Sequence, residues 1–201
     1  MSVSECVAVG YKYSGSVNET LVIVWDGTTW SAASSPNVGT GDNRLQSVSC
    51  LSASECVAVG YTNAGSEYAT LVMAWDGTAW SVVTSPSPGT DDRLYSVACV
   101  DASDCVAVGR TYDGSVYAAL VMVWDGAAWS VVSSPSPGTN DRLESVSCVS
   151  GSDCVAVGRT YDDPVTKTLV MALTAPEPTP TPDPDPVPEP DPSPVIPVFT
   201  G

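Results

Sequence analysis

Histidine is absent from this chain of 201 residues. Its absence removes the commonest general base, the usual zinc ligand and every Ser-His or Cys-His nucleophile pair. The sequence also lacks a run of about 18 apolar residues, so it predicts no segment that inserts into a membrane. We therefore expect no catalytic residues, no metal site and no cofactor.

Basic residues are scarce as well. The chain has 7 lysines and arginines against 23 aspartates and glutamates, which gives a formal charge of -16. Five of the acids lie beyond residue 174, which leaves 18 acids and 7 bases in residues 1–174. Such a surface repels phosphate backbones and anionic lipids, so neither nucleic acid nor a membrane is an expected partner.

A repeat of 49 to 50 residues organises what is present. The motif C-V-A-V-G occurs four times, beginning at Cys6, Cys56, Cys105 and Cys154. The motif W-D-G-x-x-W-S occurs three times, beginning at Trp25, Trp75 and Trp124. Self-similarity at such a fixed period is typical of solenoids, propellers and other repeat arrays.

Each repeat predicts four short strands. In the third copy they are Arg93–Cys99, Cys105–Tyr112, Leu120–Trp124 and Trp129–Ser134. These runs are rich in Val, Trp and Tyr and are bounded by turn residues. Asp-Gly separates the third strand from the fourth, and Gly readily adopts the positive φ that a hairpin turn needs.

The predicted fold is therefore all-β. It is a β-propeller-like array of four-stranded antiparallel blades, with about 3.5 repeats followed by an extended Pro-rich tail. The repeat domain spans residues 1–174 and is divided into a partial blade at 1–40, blades at 44–90 and 93–139, and a partial blade at 142–174. The strands should number three, four, four and three in these blades.

The order of the motifs resembles the kelch repeat, which places a Gly at the end of the second strand, an aromatic-Asp turn and then a Trp on the fourth strand. VAVG, WDG and the following W match that order. Kelch repeats usually carry a Gly-Gly pair, whereas a single Gly stands here.

The turn also resembles the Asp-box of sialidase propellers, S-x-D-x-G-x-x-W, with one residue missing. The repeat is similar, too, to uncharacterised secreted bacterial SVSC…CxAVG…WNGxxWS proteins. These resemblances imply a propeller and little about activity, because propellers host many functions.

Six of the seven cysteines share one spacing. They form the pairs Cys50 and Cys56, Cys99 and Cys105, and Cys148 and Cys154. Each pair brackets the turn between the first and second strands, where facing Cβ atoms lie close, so we predict three disulfides. Disulfides indicate an oxidising compartment, and hence an extracellular or cell-surface location.

Cys6 has no partner at this spacing, since that partner would precede Met1. We expect it to be an unpaired thiol at a blade that begins after its first strand, or to form an intermolecular bond.

The tail has two parts. From Pro176 to Pro194 every second residue is proline, which predicts an acidic polyproline II spacer at 175–194. The segment 195–201 is apolar and β-prone. We predict that Val195, Ile196, Val198 and Phe199 belong to an assembly strand that supplies a missing strand to a neighbouring subunit, whose first blade lacks its opening strand. The segment also faintly resembles the sortase signal LPxTG.

Arginines, tryptophans and loop acids are the remaining candidates for chemistry. Arg44, Arg93 and Arg142 recur with the repeat, and a repeated residue usually serves the repeat, for instance by pairing with Asp42, Asp92 or Asp141. The tryptophans could stack on sugars, although core positions are the commoner role. The acid pairs Asp91-Asp92 and Asp162-Asp163 could hold calcium weakly.

The function that the sequence favours is an extracellular, non-enzymatic structural or surface protein that binds other copies of itself, as oligomer or filament, by strand donation from the tail. One alternative is a carbohydrate-binding, lectin-like adhesion module that recognises surface glycans. Another is a degenerate glycosidase-type propeller, although no pair of acids stands apart from the repeat pattern as glycoside hydrolysis requires.

We predict that the protein has no hydrolytic activity, because it lacks histidine and a symmetry-breaking acid pair. A broad screen of glycoside and ester substrates should give background rates only. Turnover that disappears on substitution of one Asp or Glu would contradict this prediction.

Overall fold

The computed structural model describes residues 6–63, 65–151 and 153–174, and within them the chain is all-β with 14 strands. The strands are β1 (Cys6–Tyr13), β2 (Asn18–Trp25), β3 (Trp30–Ala33), β4 (Asn43–Ser52), β5 (Glu55–Asn63), β6 (Tyr68–Trp75), β7 (Trp80–Val83), β8 (Arg93–Asp101), β9 (Asp104–Tyr112), β10 (Tyr117–Trp124), β11 (Trp129–Val132), β12 (Arg142–Ser150), β13 (Asp153–Asp162) and β14 (Val165–Thr174).

The strands form four antiparallel sheets, each a simple meander. Blade 1 is β1 to β3, blade 2 is β4 to β7, blade 3 is β8 to β11 and blade 4 is β12 to β14. The predicted all-β array of blades is confirmed, including the numbers of strands in successive sheets. The predicted strand bounds differ from the observed ones by a few residues, chiefly because β10 begins at Tyr117 rather than at Leu120.

The Asp-Gly turns are held by the aspartate side chain. Asp76 Oδ1 accepts hydrogen bonds from the backbone N–H groups of Thr78 and Ala79 and from the Thr78 hydroxyl. Gly77 occupies the adjoining turn position at φ +91°, which a residue with a Cβ rarely adopts. The hydroxyl of Thr78 and the two N–H groups lower the pKa of Asp76 to about 2, because they stabilise the carboxylate.

All three predicted cysteine pairs are bonded in the structure: Cys50–Cys56, Cys99–Cys105 and Cys148–Cys154. Each bond joins residues that face each other at the mouth of the first hairpin of a blade. Closing so short a loop restricts the unfolded chain, which corresponds to roughly 2 kcal/mol of stability in the chain-entropy model.

The cores lie between blades rather than within them. The face that a blade turns towards the preceding blade is its leading face, which in blade 2 consists of Ala58, Leu71, Met73 and Trp80. The opposite face is its trailing face, which in blade 1 consists of Val7, Val9, Val22 and Val24. These two sets pack together, and the same arrangement recurs between blades 2 and 3 and between blades 3 and 4.

The first strands of successive blades are also linked by serines. Ser47 Oγ accepts the backbone N–H of Val97 at 3.2 Å, and Ser49 Oγ accepts that of Cys99 at 3.0 Å. Ser96 makes the corresponding contact with Val146. First strands therefore use the N–H groups that point away from their own sheet.

The single glycine that ends the VAVG motif has a steric reason in blades 2, 3 and 4. A Cβ on Gly109 would overlap the carbonyl oxygen of Arg93, where β8 has a bulge between Leu94 and Ser96. Gly60 and Gly158 face the same crowding in blades 2 and 4, whereas Gly10 has no atom within 4 Å of such a Cβ.

Among the described residues there is no helix long and apolar enough to cross a membrane.

We predict that Gly109→Ala destabilises the protein by about 3 kcal/mol, because the backbone of β8 must shift to admit the methyl group. Gly10→Ala is the matched control at the equivalent position of blade 1 and should change stability by less than about 0.5 kcal/mol. Urea unfolding followed by tryptophan fluorescence measures both values. Equal effects of the two substitutions would show that the crowding is not the cause.

Candidate functional site

The recurring arginines form ion pairs, but only one of the three pairs with the aspartate that the sequence predicted. Arg44 pairs with Asp42 at 3.1 Å, as expected. Arg93 pairs with Asp91 rather than Asp92, because Asp91 is the residue 49 positions after Asp42. The corresponding residue in the next repeat is Asn140, so Arg142 turns instead to Glu144.

Asp91 is the centre of a polar cluster. Its carboxylate also accepts hydrogen bonds from Arg110 at 2.9 Å and from the hydroxyl of Tyr117 at 3.2 Å. The Arg93 guanidinium lies 3.8 Å from the ring centroid of Tyr68, close enough for a cation–π interaction. Because the arginines are already paired, this cluster is built as a junction between blades 2 and 3.

Asp92 and Asp141 have a different role from the predicted one. Both are fully buried, and each carboxylate accepts a backbone N–H of the incoming connection, from Gly89 at 2.8 Å and from Gly138 at 2.9 Å. Burial raises the pKa of Asp92, although its hydrogen bonds oppose that effect. These aspartates therefore fix the segment that links one blade to the next.

The six tryptophans do not share one environment. Trp80 and Trp129, on the fourth strands, are buried against the preceding blade, whereas Trp30 is exposed. The tryptophans that end the third strands are half-buried, and in blades 2 and 3 their indole N–H groups donate to the backbone carbonyls of Ala53 and Ala102. The expected core role therefore holds fully for only two of the six.

A cavity of about 380 Å³ opens between blades 2 and 3, beside the Asp-Gly turns. Its wall contains Trp75, Trp124 and Trp129, together with the polar groups of Glu55 and Asp76. A similar cavity of about 310 Å³ lies between blades 1 and 2 and includes Trp75 and Trp80.

The corresponding space between blades 3 and 4 is larger, at about 790 Å³. On one side it is lined by the trailing face of blade 3, including Val121, Val123 and Val132, and on the other by Leu169 and Leu173 of β14. The difference comes from the fourth strand. In blade 3 that strand brings Trp129 into the cavity, whereas blade 4 has no fourth strand among the described residues.

We call this space the fourth-strand groove. It runs along the outer edge of β14, whose described pairing is to β13 alone. In blades 2 and 3 the matching edge is covered by a strand of four residues, β7 or β11, with Trp75 opposite Trp80 and Trp124 opposite Trp129. Within the part of the chain that the structure describes, the edge of β14 therefore offers unpaired backbone groups next to an apolar cavity.

The other sequence-predicted site residues have different outcomes. Cys6 is a free, exposed thiol in β1. The assembly-strand residues Val195, Ile196, Val198 and Phe199, like the spacer at 175–194, lie outside the described residues. The loop acids suggested for calcium do not form a cluster that could hold a metal ion within the part of the chain that the structure describes.

Sequence reasoning missed the cavities between blades and the groove. The signal for the groove was present, since the fourth-strand motif W-S-V-V has no counterpart after Thr174. The volume of the cavity beside β14 could not be predicted from the missing W-S-V-V motif alone.

Comparison with known proteins adds a structural similarity to this geometry but identifies no family. No protein-family model matches the chain, and no curated protein matches it. Among solved structures, a fucose lectin from Kordia zhangzhouensis in complex with methyl-fucoside is similar over 64% of this chain and 89% of its own, with a TM-score of 0.41 and 13% identity. A similarity of this size carries no inference about what the chain binds.

Proposed function

We propose that this protein is an extracellular, non-enzymatic structural or surface protein whose copies join by strand donation. In this proposal Val195–Thr200 of one copy occupies the fourth-strand groove of another. The observation that carries the proposal is the groove itself, an apolar space of about 790 Å³ beside the open edge of β14. An exposed strand edge is a template for a strand from another chain.

The chemistry of the segment fits an outer strand. Pro197 has no N–H to donate, so it is tolerated only where the strand has a neighbour on one side. Fourth strands meet this condition, because β7 and β11 each pair with one strand only. The first strands β8 and β12 do not, since the outward N–H groups of Val97 and Val146 bond to serines of the preceding blade.

The side chains fit as well. Complete blades fill this position with a tryptophan, and the donated segment carries Phe199, the only phenylalanine of the chain. An aromatic ring of this kind supplies a large buried area on an apolar wall such as Val123 and Val132.

The intervening sequence favours a neighbour over the same copy. Its 19 residues from Pro176 to Pro194, in a polyproline II conformation, would span roughly 60 Å. Alternating prolines would also keep this segment from pairing with β14, because half of its residues lack a donor. The reach therefore suits a link between copies.

An extracellular location is supported by the three disulfides, which persist in oxidising compartments.

Strand donation predicts that a peptide with the sequence of 195–201 binds the protein that lacks residues 195–201. The groove variant Val123→Glu should weaken this binding at least about tenfold, because it places an unpaired charge on the apolar wall. Fluorescence anisotropy of the labelled peptide measures both, and a peptide with Phe199→Ala should bind more weakly.

Val131→Glu is the matched control, since Val131 is exposed in β11 and does not line the groove. Undiminished peptide binding by the Val123 variant, or failure of the peptide to bind at all, would contradict strand donation into this groove.

A second candidate function is glycan binding, and the cavity between blades 2 and 3 favours it. Its aromatic wall offers Trp75 and Trp124 as stacking surfaces, and Glu55 and Asp76 offer acceptors for sugar hydroxyls. Pockets for small ligands combine apolar walls with a few polar groups in this way.

Under this second candidate we expect at least one sugar to bind on a glycan array, and Trp124→Ala to weaken that binding at least about tenfold. Trp25→Ala is the control, because Trp25 is the equivalent residue of blade 1, away from this cavity. Equal loss with both variants, or an array without signal, would remove the candidate.

A further inference from the structure

We infer that the two ends of the blade array form a second, separate contact between copies of this chain. The leading face of blade 1 of one copy packs against the trailing face of blade 4 of the next copy. This contact goes beyond the proposed strand donation, since it uses none of the tail residues.

The leading face of blade 1 is built like the leading faces that are buried inside the array. Ala8, Leu21, Ile23 and Trp30 occupy the positions that Ala58, Leu71, Met73 and Trp80 occupy in blade 2. The blade 2 set packs against blade 1, and Trp80 is only 7% exposed there. Trp30 has no preceding blade among the described residues and is 50% exposed.

The trailing face of blade 4 shows the same contrast. Val155, Val157, Val170 and Ala172 occupy the positions of Val106, Val108, Val121 and Val123 in blade 3. Val108 and Val121 are 0% and 2% exposed because blade 4 covers them. Their counterparts Val157 and Val170 are 41% and 62% exposed.

The interfaces inside the array indicate which kind of surface covers the two end faces. At all three internal interfaces a valine-rich trailing face packs on a leading face that contains leucine and, in blades 2 and 3, tryptophan. The end faces are the same two surfaces, separated onto opposite ends of one molecule. A second copy therefore presents to each end face the partner that the repeat already uses, and it continues an established interface.

The contact is head-to-tail, because the two faces differ. Each copy then offers one face of each kind, and association continues until a ring closes or a filament grows. The contact involves the second, third and fourth strands of blade 1, since no first strand of that blade is among the described residues. Its chemistry is apolar, and the copies carry a charge of -16 each, so added salt should strengthen it by screening repulsion.

The test uses the full chain carrying Phe199→Ala, which weakens the tail contribution, with the unmodified full chain measured in parallel. Trp30→Glu and Val157→Glu each place a charge on one end face at an exposed position, so the fold should be retained, as checked by thermal unfolding. Sedimentation velocity should show association weakened at least about tenfold by either substitution. Val131→Glu is the control and should associate like the parent.

Mixing the two variants is the decisive measurement. One variant keeps an intact blade 1 face and the other an intact blade 4 face, so an equimolar mixture should form a dimer that neither variant forms alone. A mixture that stays monomeric, or a loss caused by Trp30→Glu but not by Val157→Glu, would overturn the head-to-tail contact.

The two proposals fail separately. If both end-face variants associate like their parent while deletion of residues 195–201 from the unmodified chain abolishes assembly, the end-face contact is wrong and strand donation stands. If the deletion has no effect and the end-face variants are monomeric, strand donation is wrong and the end-face contact stands.

Discussion

Every sheet of this protein depends on burial against its neighbour. A blade has three or four strands and apolar side chains on both faces, so it has no interior of its own. The free energy of folding comes largely from removing apolar surface from water, and here that removal happens where one blade meets the next. Stability is therefore a property of pairs of blades, and the disulfides and the buried aspartates secure elements within or between them without replacing that burial.

The residues that shape single strands and turns were the ones that sequence could predict. Alternating valines, Asp-Gly turns and paired cysteines act locally, so their pattern is sufficient to place the strands, the turns and the disulfides. The lone glycine of the VAVG motif could be noticed but not explained, because in blades 2, 3 and 4 its neighbour is the carbonyl of Arg44, Arg93 or Arg142 on another strand.

The sequence could not predict which of several neighbouring side chains forms a given contact in the folded protein. Asp91 and Asp92 are adjacent in the chain. Asp91 forms ion pairs with two arginines, whereas Asp92 is buried and accepts a hydrogen bond from the backbone N–H of Gly89. Likewise, Trp30 and Trp80 lie in the same W-D-G-x-x-W-S motif, but among the described residues only Trp80 packs against a preceding blade. The groove and the end faces depend on such differences, since they lie where an edge or a face of the repeat has no partner among the described residues.

The recurrence of the same leading face and the same trailing face from blade to blade has a consequence for how such a gene can change in length. A segment of 49 residues that begins anywhere in one repeat and ends at the same point of the next contains one complete set of strands. Its duplication or loss by unequal recombination would leave every remaining face opposite a partner of the usual kind. A change in repeat number therefore requires no new kind of interface between blades.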